Sequence, residues 1–461
     1  MQIKKKNINN LLIIFLSSHL IIWTLIPYIT NDNLPLDVIE AIVWSDGWPL
    51  GWAKHPPLSS WFPGIFFQVF GNQDWSYYLL SQLFVVASFI VVWKFSQDFF
   101  KNKSLSFISI LILEGIYFYN FTSPEFNVNV CQLPFWALTV YYAWKSYKEK
   151  AISNWILFGT FAALGFLSKY LFIYLLIGII IFFIFIIIKE KKYYFKYLIP
   201  GLVFIIILTP HIIWLVENNF ITIIYALNRT TAESSIFLNH LLNPLIFLGK
   251  QIGILIPFFI LFFLMISKFK PKINLKDKKL IFLLAVNIAP LILIFLTSMI
   301  MGAKIRTMWM TPFYLFIGVF LIYLFQNKIN LNKLKYFFTL FFILFIFSPI
   351  AYSYVSITQN NKRTDYPGKK IAKKVQEKWE ANFKNKIGVV GGDHWHGGNL
   401  FYNLESKPKW DNIFESKKNP SIKNEEDGFV LIGDADILSN ICKGVFFKVE
   451  KQGICMIGVK K

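Results

Sequence analysis

"WILFGTFAALGFLSKYLFIYLLIGIIIFFIFIII", residues 155–188, is an apolar run too long for a single membrane crossing, which takes about 20 residues as a helix. Its one charge, Lys169, stands in the middle. A lysine deep in hydrocarbon is costly without a partner, so the run reads as two short helices, 153–168 and 170–188, that turn near Ser168–Tyr170. That reading sets the parity of every later crossing.

Working outward, apolar runs at 11–29, 77–93, 104–121, 130–144, 197–216, 245–266, 280–300, 307–326 and 336–356 bring the expected total to about eleven spans. Composition agrees: 55% of the 461 residues are hydrophobic and 19% aromatic, including 50 Phe, far from the average soluble domain. The first run follows "MQIKKK" but ends in "WTLIPYITNDN" without a small-residue cleavage site, so it is kept as an uncleaved span. The expected class is a polytopic α-helical membrane protein with a small soluble C-terminal domain.

The net charge of +21 is distributed as a membrane topology distributes it. Before the tail, lysines crowd alternate loops, at 4–6, 94–103, 145–150, 189–196, 268–279 and 328–335; the opposite face has only Lys54, Lys169, Arg229, Lys250, Lys304 and Arg306. Lys-rich loops stay cytoplasmic. The protein is therefore expected in the cytoplasmic (inner) membrane, amino terminus inside and C-terminal domain outside, with membrane lipid and no nucleic acid as partner. The short polybasic loops hold no P-loop or Gly-rich dinucleotide signature, which puts any chemistry on the outer face.

Outside the membrane lie residues 30–76, 217–244 and the tail 357–461; the module 1–356 holds the spans. "WFPGIFFQVF" and "FITIIYALNR" in the two loops read as interfacial helices. In the tail, "QNNKRTDYPGKKIAKKVQEKWEANF" reads as a helix, and "KIGVVGGD", "GFVLIGD", "GVFFKV" and "GICMIGV" as strands, an α/β or α+β domain. Cys442 and Cys455 flank a predicted hairpin, and both a disulfide and two free thiols fit them. Cys131 falls within a span and reads as a packing residue.

The loop "LDVIEAIVWSDGWPLGWAKHPPLSSW", residues 36–61, is rich in chemistry. Asp37 and Glu40 share one face of a short helix; helix capping is the bland reading, general base or metal ligand the functional one. Lys54 and His55 precede a rigid Pro-Pro turn between tryptophans, where a phosphate headgroup would sit. In the tail, Asp393, His394 and His396 of "GGDHWHGGNLFYN" have the residue types of a zinc site, but a loop with a satisfied His pair fits as well. Trp395 and Tyr402 could stack on a sugar.

Asp37, Trp44, Gly51, "KHPPL" and Trp61, followed in order by "SPEFNVNVCQLPFWALTVYY", "LGFLSKY", "PHIIWLVENNF" and "RTMWMTP", resemble the GT-C glycosyltransferases. The similar branch holds the protein O-mannosyltransferases and the lipid A aminoarabinose transferases. The resemblance covers about residues 10–330. It implies transfer of a sugar from a polyprenyl-phosphate donor to a lipid, glycan or protein acceptor at the outer face, inverting at the anomeric carbon. By the family pattern Asp37 is the base or acceptor-activating carboxylate, with Glu125 of "TSPEF" and Glu40 as further acidic residues. Lys169 is the first choice for a donor-phosphate contact, followed by Arg306 and His55, then Lys54, His211 and Lys250. No cofactor is implied with certainty: where some relatives carry an acidic residue that would hold a divalent metal, this chain has Lys54.

Two other classes compete. A transporter or lipid flippase would place polar, interrupted helices near the bilayer midplane, whereas the ionisable residues here gather at outer ends of spans. A membrane scaffold would leave Asp37, Glu125 and Lys169 without coordinated roles.

Overall fold

The structure, a computed structural model, describes residues 5–230, 237–271, 273–330, 334–411 and 425–461. Lys4, Lys272, Lys333 and positions 231–236 of the second outer loop lie outside the described residues. The transmembrane part runs α1 (Lys5–Thr30), α2 (Leu36–Trp44), α3 (Leu58–Phe70), α4 (Asp74–Ser96), α5 (Lys103–Leu111), α6 (Val128–Cys131), α7 (Leu133–Glu149), α8 (Ile152–Ser168) and α9 (Ile173–Glu190). It continues through α10 (Ile199–Glu217), α11 (Ile221–Thr230), α12 (Asn239–Met265), α13 (Lys278–Met301), α14 (Ile317–Phe325) and α15 (Leu334–Thr358). The tail adds α16 (Gly368–Asn382), β1 (Val389–Gly391), α17 (His396–Asn403), β2 (Lys409–Asp411), β3 (Phe429–Asp434), α18 (Ala435–Ile441), β4 (Val445–Val449) and β5 (Gln452–Ile457).

Contacts divide the chain into two units. The first comprises Met1–Ile26, Leu50–Ser59 and Ser81–Tyr354. Among the described residues, seven helices are long and apolar enough to cross a membrane, and an eighth crossing is available if Thr307–Tyr314 and Ile317–Lys328, bent by 52°, form one broken span. Only 22% of the apolar window of Phe195–Glu217 and 11% of that of Leu334–Thr358 is buried within the protein. The remainder is surface suited to lipid, where backbone groups must be satisfied inside the helix.

The other three of the eleven expected spans are shorter or interrupted. α7 and α8 have 17 residues each. The run at 104–121 stops being α-helical at Leu111 and continues as 3₁₀ turns. A polar cluster that the hydropathy pattern hides stands at the break: Asn120 Nδ2 donates to the Glu114 carbonyl at 2.8 Å and to its Oε1 at 3.2 Å, while Glu114 Oε2 lies 3.4 Å from His19 Nδ1.

The α8–α9 turn falls where the sequence puts it. α8 ends at Ser168, Lys169 is extended (φ −166°, ψ 134°), and α9 starts at Ile173 after one 3₁₀ turn. Gly165 is required there, because a Cβ would stand 2.1 Å from the Phe172 ring.

The second unit comprises Pro27–Pro49, Ser60–Leu80 and Val355–Lys461. Most of the first loop thus packs in one unit with the tail. α2 lies against α17 so closely that a Cβ on Gly398 would be 2.8 Å from Ile39 Cγ2. Polar ties reinforce the contact, with Asn33 Nδ2 donating to Asn399 Oδ1 at 2.8 Å, Tyr402 OH to Asp74 Oδ1 at 2.7 Å, and the Trp410 amide to Asp46 Oδ2 at 2.8 Å. Tyr402 is thus a buried structural residue.

The tail sheet has the order β2-β1-β3-β5-β4, parallel across β2-β1-β3 and antiparallel across β3-β5-β4. All four expected strands form. α17, rich in glycine, replaces the loop expected there, and β2, three residues long, adds a strand to those expected. The core gathers Val375, Trp379, Val390, Val430, Ile432 and Ile454 between α16 and the sheet. Cys442 and Cys455 are disulfide-bonded, with Cα atoms 5.6 Å apart.

Candidate active site

Lys169 is 5% exposed. Its Nζ donates to Asn129 Oδ1 at 2.6 Å and lies 4.9 Å from the centroid of the Trp309 ring. Asn129 is held by the start of α6, where the Asn127 side chain accepts from the amides of Asn129 (2.8 Å) and Val130 (3.3 Å). A buried ammonium is thus matched by a carbonyl dipole and an aromatic face, the combination that offsets desolvation.

Asn127 and Asn129 also line a cavity of about 740 Å³ in the first unit. Four cations face it: Arg229 from the last turn of α11, Lys250 from α12, and Lys304 and Arg306 from the segment that follows α13. Lys304 and Arg306 are two apart with Arg306 extended (ψ 135°), so both side chains fall on one side of the strand-like segment. Among the described residues Glu125 supplies the one carboxylate in the lining, and Tyr117, Thr122 and Thr311 add hydroxyls. A half-enclosed volume with this excess of positive charge concentrates anions.

The loop 50–59 belongs to the same unit. His55 is held at about 3, well below the usual imidazole value, first by burial and then by the charges of Lys169, Lys54 and Arg229. It is a neutral imidazole at physiological pH and cannot add a positive charge. His211 has both ring nitrogens engaged, one with Tyr170 OH at 2.7 Å and the other with the Leu50 carbonyl at 2.6 Å. It does not line the cavity; it ties the loop to the α8–α9 turn.

Asp37 and Glu40 stand on α2 in the second unit, Asp37 half-buried in the first turn and Glu40 8% exposed. Neither lines the cavity. In the tail, Asp393 and His396 pair at 2.7 Å, but His394 turns to the rings of Trp44 and Trp410, with centroids 5.7 and 5.9 Å away. The three do not converge as zinc ligands, and among the described residues no group of three His, Cys, Asp or Glu side chains is arranged to hold a metal.

Residues 54–214 match the family model described as dolichyl-phosphate-mannose-protein mannosyltransferase. No curated protein matches the chain by sequence. Among solved structures, the chain is similar to ArnT from Cupriavidus metallidurans bound to undecaprenyl phosphate, with a TM-score of 0.66 and 12% identity over 97% of this chain and 98% of that one. The chain has the GT-C fold. The likeness spans both units, so the sheet-bearing tail is part of what is shared.

Against the GT-C fold, the expected site residues separate into groups. Glu125, Lys250 and Arg306 share the cavity, Lys169 reaches it through Asn129, and His55 feels the charges of Lys169, Lys54 and the cavity residue Arg229. Arg229 and Lys304 were not singled out from sequence, although the signal existed: both are among the few cations in the loops expected to be lysine-poor. Asn129 and Trp309 lie within the motifs "SPEFNVNVCQLPFWALTVYY" and "RTMWMTP" but were not singled out there.

Proposed function

We propose that this protein is an integral-membrane glycosyltransferase that moves a sugar from a polyprenyl-phosphate donor to a lipid, glycan or protein acceptor. One observation carries the reading: four cations and one carboxylate share a cavity of about 740 Å³ in a GT-C fold. In an inverting displacement the acceptor oxygen bonds to the anomeric carbon as the bond to the phosphate oxygen breaks. The acceptor proton passes to a carboxylate, and the polyprenyl phosphate leaves with an added negative charge. Arg229, Lys250, Lys304 and Arg306 are assigned to that developing charge, the interaction that most lowers such a barrier. Lys169 is assigned to the same phosphate group, ordered by Asn129. Asp37 is assigned as base on the strength of the first-loop motif, and Glu125 as the carboxylate that orients the acceptor at the cavity.

The asymmetry of lysines supports an amino terminus in the cytoplasm and an extracytoplasmic tail. The solved relative's undecaprenyl phosphate supports a donor with the same carrier. The test is reconstitution of the purified protein with labelled polyprenyl-phosphate sugars and an envelope extract. Label should move from carrier to acceptor, with free polyprenyl phosphate released in equal amount. Transport of intact carrier lipid across the bilayer, with no transfer of label, would instead select the flippase reading.

A further inference from the structure

The second unit carries a trough unrelated to the cation-lined cavity. At one end is a pocket of about 270 Å³ walled by Tyr366, His396, Glu450, Lys451 and Gln452 over an apolar floor of Ile371, Ile432 and Val449. It shares Ile371, Val449 and Glu450 with a second hollow of about 430 Å³, lined by Lys370, Lys374 and Lys378 of α16 and Lys448 of β4. The two hollows adjoin at these residues. The lysines at 370, 374 and 378 recur every four residues, a single ridge along the helix. No ion pair among the described residues engages Lys370 or Lys374; Lys378 lies 4.5 Å over the Phe447 ring.

The pocket end is ordered for neutral polar groups. Asp393 Oδ2 accepts from His396 Nδ1 at 2.7 Å, leaving His396 Nε2 beside the Gln452 amide, 3.5 Å away. Burial opposes ionisation of Asp393, but hydrogen bonds from His396 and Trp395 outweigh it and keep the carboxyl below its usual range. The His396 ring is therefore fixed in orientation. Tyr366 stands against Trp395 and His396, with centroids 5.4 and 5.7 Å away. Glu450, left-handed at φ 52° in the tight β4–β5 turn, is fixed where the two hollows meet.

We propose that this trough binds an acidic saccharide, one ring seated against Tyr366 with its hydroxyls on His396, Glu450 and Gln452, and its carboxylates or phosphates along Lys370, Lys374 and Lys378. Sugar hydroxyls need acceptors as well as donors, and the carboxylates of Glu450 and Glu377 in the walls provide them. A flat membrane surface would gain nothing from either carboxylate and could not enter the pocket. On the transferase reading, such a site would hold the acceptor glycan. That role rests on the proposed function; the binding itself does not.

The experiment uses the full chain in nanodiscs of zwitterionic lipid, probed by thermophoresis with an oligogalacturonate, a maltooligosaccharide of equal length, and phosphatidylglycerol vesicles. The oligogalacturonate should bind, the neutral probe should bind at least tenfold more weakly, and Lys370→Ala with Lys374→Ala should remove that difference. Tyr366→Ala should weaken both saccharides, with thermal unfolding reporting whether the variant is folded; if it is not, Gln452→Ala is read in its place. Equal binding of acidic and neutral probes, no binding of either, or vesicle binding without saccharide binding would each overturn the proposal. Polyprenyl phosphate binding is measured on the same samples. If it survives when saccharide binding fails, only this inference falls; if it is absent while the oligogalacturonate binds, only the transferase reading falls.

Discussion

Lys169 and Asn129, 40 residues apart in sequence, meet through a 2.6 Å hydrogen bond from a buried ammonium to a side-chain carbonyl that borders the cation-lined cavity. Removing the carbonyl leaves part of the ammonium's hydrogen bonding unmet, which costs about 1–3 kcal/mol when the group is buried. Asn129→Ala should lower thermal stability by that amount and raise the KM for the lipid donor. Lys169→Met, which removes the charge and keeps the volume, should cost less stability and raise the donor KM at least as much. Unfolding in detergent and initial-rate kinetics measure the two effects separately.

The four cavity cations come from three separate parts of the chain and differ in sequence context, yet they should act alike. A charge-assisted contact to phosphate contributes about 1.5–3 kcal/mol. Arg229→Ala and Arg306→Ala should therefore each weaken polyprenyl phosphate binding about 10- to 100-fold, and binding to the wild type should fall with rising salt. Equilibrium binding of labelled polyprenyl phosphate at two ionic strengths checks this.

Two carboxylates can be told apart by kinetics. Loss of a general base lowers kcat by about 10²–10⁴ and leaves ground-state donor binding in place. Asp37→Asn should show that pattern. Glu125→Gln should lower kcat less and raise the KM for the acceptor, since it removes an orienting contact at the cavity. The reverse result would exchange the two roles.

Much of the fold follows from patterns that act locally. The α8–α9 turn was legible because a single lysine interrupts an otherwise apolar run, and burying Lys169 without a partner is untenable. The convergence of cations was half legible. Residues scarce on one face of a membrane protein are there for a reason, but scarcity does not show that Arg229, Lys250, Lys304 and Arg306 line one hollow. Asn129 stood inside a quoted motif, but its role was not legible, because the contact with Lys169 is formed only in three dimensions. The break at Leu111 was missed for a related reason: one Glu barely lowers the mean hydropathy of 104–121, whereas its hydrogen bonds to Asn120 stand at the break. The division of the first loop between the units was likewise invisible, resting on the close approach of Gly398 to Ile39.

His55 gives a pH dependence with a definite sign. Its folded value of about 3 lies below the usual 6.5, so at pH below 6.5 the unfolded chain binds a proton that the folded chain refuses. This contribution to stability is complete above pH 6.5 and is lost progressively as pH falls toward 3. His55→Gln removes it. The melting temperature of the variant should fall less than that of the wild type between pH 7.5 and pH 5, and activity near neutral pH should show no limb assignable to an imidazole.

The disulfide offers a test confined to the second unit. Cys442 caps α18 and Cys455 lies in β5, with a sequence separation of 13. Closing a loop of that size removes unfolded-state entropy worth about 3 kcal/mol. The bond joins α18 to the sheet beside Phe429, Leu431 and Leu438, a cluster smaller than the main core of the tail and so more dependent on the link. Cys442→Ser with Cys455→Ser should lower the unfolding temperature of the tail and speed its proteolysis. Reduction of the wild type should reproduce both effects, and reductant should have no effect on the variant. Polyprenyl phosphate binding at the cavity of the first unit should be unchanged in both cases, since none of its lining residues belongs to the disulfide-bonded elements.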